Sequence, residues 1–79
     1  LSHPTPPPLH SSPSLLDAGK LLYDAGQFEQ ALTSWQQAEQ EYTRAGDSVN
    51  VIRSRINQAQ AQKALGFYLR AVETLKELQ

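Results

Sequence analysis

The sequence predicts an all-α protein: two antiparallel helix hairpins behind an extended, proline-rich leader. Three observations carry this. Apolar residues recur at steps of three and four through most of the chain after residue 13, the spacing that gathers them on one face of a helix. Gly26 and Gly66 interrupt helix-forming runs in the same way, because Gly26, Phe28 and Ala31 are matched by Gly66, Tyr68 and Ala71 at an offset of 40 residues. Residues 1–12, LSHPTPPPLHSS, hold four of the five prolines, a composition that favours polyproline II over a packed element.

The leader is expected to be a spacer. Its PTPP stretch has the PxxP spacing that SH3-type grooves recognise, without a flanking Arg or Lys to set an orientation. His3 and His10 stand seven apart without acidic or thiol companions, which makes a poor metal site. The first helix starts near residue 13: either Ser12 caps it with Pro13 in the first turn, or Ser14 caps it with Asp17 three residues on. Its expected stripe is Leu15, Ala18, Gly19 and Leu22, running to Ala25. The second helix has the strongest periodicity, through Phe28, Ala31, Leu32, Trp35, Ala38, Tyr42 and Ala45. Gly46 suits the left-handed position that closes it, and Asp47 or Ser48 can cap the next. The third helix, from about 48 to 65, is polar for its length; its narrow buried face is expected to be Val49, Ile52, Ile56 and Ala59, with Leu65 closing. A fourth stripe follows in Tyr68, Ala71, Val72, Leu75 and Leu78. Each Gly then serves as the tight turn of a helix pair, the aromatic as a wedge, and the Ala as a point of close approach.

Composition narrows the function. Seven Lys and Arg against eight Asp and Glu give a net charge of −1, with no basic track for nucleic acid. No apolar run is long enough to cross a bilayer. Cysteine is absent, so neither a disulfide nor a thiolate zinc site can supplement a small core. With no phosphate-binding glycine loop, no HExxH and both histidines in the leader, no catalytic, cofactor-binding or metal-binding residues are expected. Asp17, Asp24 and Asp47 read as helix starters and solvated charges, and Trp35 and Tyr42 as packing residues on the second stripe. The chain begins with Leu1 rather than Met, consistent with removal of an initiator or signal sequence or with a cut from a longer chain.

Gly19, Gly26, Phe28, Ala31, Trp35 and Ala38, with Ala59, Gly66, Tyr68 and Ala71 after them, resemble the tetratricopeptide repeat, a helix pair with a small residue in its first helix, Gly at the turn, and alternating aromatic and small residues beyond. The resemblance covers residues 13–79, with a first repeat at 13–47 and a second, apparently truncated one at 48–79. Leu75 and Leu78 depart from the usual aromatic and small residue, and Arg55, Gln58 and Gln62 stand where the family is normally apolar. The period of 40 is similar to that of the long-repeat arrays preceding CHAT domains, caspase-like peptidases, in bacterial and especially cyanobacterial proteins; any such peptidase would lie beyond Gln79. The resemblance implies a right-handed solenoid fragment acting as a protein–protein interaction scaffold. First helices line the concave groove in this family, so Lys20, Tyr23, Asp24, Arg53, Asn57, Gln60 and Lys63 inherit a partner-binding reading. The alternative is a structural or oligomerising segment without its own peptide groove. Phe67 and Leu69 favour it as a stacking surface, since they align with the polar Gln27 and Glu29 and would suit further repeats or self-association.

Overall fold

The structure, a computed structural model, describes residues 14–78. The leader, its histidines and PxxP stretch, and the Ser12–Pro13 start lie outside the described residues, as does Gln79. Four helices follow in order: α1 (Leu15–Asp24), α2 (Phe28–Ala45), α3 (Ser48–Ala64) and α4 (Tyr68–Lys76), with no strand among the described residues. Each helix packs on the next, and α1 also touches α3.

Helix α1 begins with a reciprocal capping box. The Ser14 hydroxyl accepts from the Asp17 amide at 3.1 Å, and the Asp17 carboxylate accepts from the Ser14 amide at 3.4 Å, so two donors that the helix leaves unpaired are satisfied. Asp47 starts α3 similarly, accepting from the Asn50 amide at 3.2 Å. The turns at Gly26 and Gly66 are near-copies. Their φ angles are +80° and +88°, a region open to glycine and strained for residues with a Cβ. Gly26 donates to Tyr23 O at 2.9 Å and Gln27 to Leu22 O at 2.9 Å; forty residues on, Gly66 donates to Lys63 O at 3.0 Å and Phe67 to Gln62 O at 2.8 Å. These paired bonds form a Schellman closure, and the turn at Gly46 closes with the same pattern.

The core is organised by Trp35 in α2, which clusters with Ala31 and with Ala61 of α3 while Leu16, Leu22, Tyr23 and Leu32 pack around them. Its indole Nε1 donates to Leu16 O at 3.0 Å. Gly19 makes room for the ring, because a Cβ there would lie 2.2 Å from that nitrogen. On α1 the packed residues are therefore Leu16, Gly19, Leu22 and Tyr23, whereas Leu15 and Ala18 of the expected stripe are exposed.

Helix α3 departs further from its expected orientation, keeping only Ala59 of the expected stripe buried, with Leu65 half-buried. Val49 and Ile52 are 62% and 44% exposed, and Ile56 is also exposed. The buried side is Ser54, Gln58, Ala59, Ala61 and Gln62. The reversal has a physical cause: Ser54 donates to Asn50 O within α3 at 2.8 Å, and the other polar groups on that side find partners outside the helix. Gln58 Nε2 donates to Glu39 Oε1 at 2.7 Å and to Trp35 O at 3.4 Å. Thr74 donates its hydroxyl proton to Gln62 Oε1 at 2.9 Å. Arg55 pairs with Glu39 at 2.7 Å and with Glu77, and donates to Thr74 O at 3.4 Å. Apart from the Arg55 Nε, which is buried without a partner, these side chains are paired, and the hydrogen bonds offset the desolvation cost of burying them. On α4 the buried residues are Ala71 and Thr74, while Tyr68, Val72 and Leu75 of the expected stripe are exposed.

Candidate functional site

At 100° per residue, Val49, Ile52, Arg53, Ile56, Gln60 and Lys63 fall on one side of α3, opposite the Ser54, Gln58 and Ala61 side that packs inward. All six are exposed. Asn57 sits at the margin of this face and is half-buried. Of the charged residues on α3, Arg55 is engaged with Glu39 and Glu77, leaving Arg53 and Lys63 as the cations of the outer face. No Asp or Glu occurs between Ser48 and Ala64. The face is thus apolar along Val49, Ile52 and Ile56, with a cation at one edge, Arg53, and another, Lys63, near the C-terminal end of the helix. The arrangement can hold apolar side chains against Val49, Ile52 and Ile56 while donating charge-assisted hydrogen bonds from the two cations.

The α1 members of the expected groove behave differently. Lys20 donates to the Asp24 carboxylate at 2.8 Å across one helical turn, both side chains being exposed. That hydrogen bond and the carboxylate's charge raise the Lys20 ammonium above its ordinary pKa. Tyr23 is half-buried; its ring makes an edge contact with Phe28 at 5.0 Å and a tilted one with Trp35 at 5.8 Å. Phe67 and Leu69 are both exposed, Phe67 beneath the Arg70 guanidinium at 5.4 Å. Open depressions of about 350, 480 and 300 Å³ among the described residues are lined by none of Lys20, Tyr23, Asp24, Arg53, Asn57, Gln60 or Lys63, although Ile52 lines the first. The α3 outer face is one convex side of a single helix, with Ile52 alone of its residues bordering the 350 Å³ depression.

Sequence reasoning found the polar members of this face and missed its apolar spine, having assigned Val49, Ile52 and Ile56 to the core. It also missed the Arg55–Glu39–Gln58 cluster. The available signal was the recurrence of Ser54, Gln58 and Ala61 at steps of four and three, the same spacing as an apolar stripe. No helix is long and apolar enough to cross a membrane among the described residues. No family model, curated protein or solved structure gives a match to this chain.

Proposed function

We propose that the chain is a tetratricopeptide-type interaction module whose α3 outer face binds a protein segment carrying apolar and acidic side chains. The observation that carries this reading is the exposed triplet Val49, Ile52 and Ile56 on a capped helix, flanked by Arg53 and Lys63. A soluble domain seldom leaves such a stripe uncovered on a regular helix without an occupant. The repeat reading draws support from contacts between α1 and α2: Leu16, near the start of α1, meets Trp35 midway along α2, while Tyr23, near the end of α1, meets Phe28 at the start of α2. That order is the one an antiparallel pair produces. The duplicated Gly26 and Gly66 turns support a second pair built from α3 and α4. The same face admits few alternative chemistries, since it offers cations and aliphatic surface without a titratable pair.

The test is a titration of the chain with a synthetic amphipathic peptide bearing glutamates beside leucines, followed by amide chemical shifts. Perturbations are expected at Val49, Ile52, Arg53, Ile56 and Gln60. Arg53→Ala and Asn57→Ala should each weaken binding by roughly 1 to 3 kcal/mol. Gln36→Ala and Gln40→Ala, exposed on α2, should leave it unchanged. Equal effects from both helices, or none from either, would remove the α3 face as the binding surface.

A further inference from the structure

The offset of 40 that relates the two glycine turns also relates the helices around them: α1 and α3 end at Asp24 and Ala64, and α2 and α4 begin at Phe28 and Tyr68. Residues 55–64 of α3 and 28–36 of α2 therefore have counterparts on α1 and α4. Trp35 of α2 and Ala61 of α3 belong to one buried cluster, 3% and 0% exposed. Forty residues after Trp35 stands Leu75 on α4, 43% exposed; forty before Ala61 stands Leu21 on α1, 73% exposed. Two of the buried positions of the internal junction are thus repeated, uncovered, on α4 and α1, while Ala71, the counterpart of Ala31, stays buried.

We infer that two copies of this chain associate head to tail, with α1 of one copy seated on α4 of the next as α3 is seated on α2. Three observations commit the surface to a second copy. Volumes are complementary, because a large Trp opposite a small Ala inside is exchanged for Leu75 opposite Leu21, which preserves the filled space. The α1 side of the contact also needs no ionic partner. The internal junction holds Arg55 and Gln58 of α3 in a bonded cluster with Glu39, and the α1 counterparts of Arg55 and Gln58 are the uncharged Leu15 and Ala18, so docking α1 buries no unpaired ion at those positions. Finally, the matching α1 face is apolar and open: Leu15, Ala18, Leu21 and Ala25 are all exposed. The contact uses different surfaces on the two copies, and repeating it extends the stack rather than closing a dimer. The inference rests on the internal repeat and not on the α3 binding face.

The experiment is sedimentation of the 79-residue chain and two variants, Leu21→Glu and Leu75→Glu, from micromolar to millimolar concentration, with circular dichroism to establish that each variant is folded. Val72→Glu, also on the exposed side of α4, replaces Leu75→Glu if helicity falls. The parent chain is expected to associate progressively. Each variant alone should lose association by at least about tenfold, since a carboxylate would be buried against an apolar face. An equimolar mixture of the two should form a species of two chains and stop there, because each supplies the intact face the other lacks. A parent that stays monomeric, as when another segment covers these faces, overturns the inference. So does association that neither variant weakens, or a loss that mixing does not restore, the latter being the mark of a two-fold contact.

Discussion

Trp35 donates its indole proton to the backbone carbonyl of Leu16, nineteen residues earlier and one helix away, at 3.0 Å. The bond fixes how deeply the ring enters between the helices, and the missing side chain of Gly19 decides whether it can enter at all. Gly19→Ala should therefore destabilise the chain although alanine is the better helix former. Propensity favours the substitution by about 1 kcal/mol, while a methyl 2.2 Å from Nε1 forces the indole to shift, at a typical overpacking cost of about 1 to 3 kcal/mol. Urea denaturation should show a lower midpoint for Gly19→Ala. A higher one would mean that the ring moves freely and that its position is not set by this contact. Trp35→Ala removes the centre of the cluster and should cost about 3 to 5 kcal/mol, enough to unfold so small a domain.

A second expectation concerns the polar junction. Arg55→Leu alone leaves Glu39 in a partly enclosed site with Gln58 as its remaining partner, and should destabilise by about 1 to 3 kcal/mol. The double substitution Arg55→Leu/Glu39→Gln installs the residues that the sequence carries forty positions away, Leu15 and Gln79. It should recover most of the loss, because no isolated charge remains. Thermal melts of the single and double variants give the coupling directly. Additive losses would show that Arg55 contributes through packing of its aliphatic stem rather than through the ion pair.

The turns offer a test of the repeat itself. A Cβ at Gly26 or Gly66 would meet nothing within 4 Å, so Gly26→Ala and Gly66→Ala isolate the backbone cost of positive φ, about 1 to 2 kcal/mol at each. The two losses should agree within about 0.5 kcal/mol when followed by amide exchange in the flanking helices. A large disparity would mean that one turn is held by neighbours that the other lacks.

How much of this was legible in the sequence depends on how local the signal is. The capping box at Ser14 and Asp17, the glycine turns and the Asp47 cap involve residues within a few positions of one another, and each could be read from residue type alone. The direction in which α3 faces could not. Its two candidate stripes have the same helical spacing, and the choice between them is made by Glu39 on α2 and Thr74 on α4, twelve to nineteen residues from the side chains of Arg55, Gln58 and Gln62 that they meet. Hydrophobicity then points the wrong way, because a satisfied glutamine competes for the interior with an isoleucine whose place outside has been left open. The candidate face shared this fate: its cations were visible, and its apolar spine was hidden by the assumption that Val49, Ile52 and Ile56 turn inward.

That reversal yields the last prediction. If α3 is oriented as described, substitutions in its apolar stripe should matter less to stability than substitutions in its polar one. Ile52→Ser and Val49→Ser remove exposed side chains and should change the unfolding free energy by no more than about 0.5 kcal/mol, the usual range for surface positions. Gln58→Ala removes a buried donor to Glu39 and Trp35 O and should cost about 1 to 3 kcal/mol, as should Ser54→Leu, which forces a larger side chain into a fully buried site. Equilibrium urea unfolding, followed by the fluorescence of the single tryptophan, resolves differences of this size. The opposite ranking would turn α3 over, with Ile52 inside and Gln58 out. The Arg53 and Lys63 face would then be the one buried against α2, and the candidate binding surface would be lost with it.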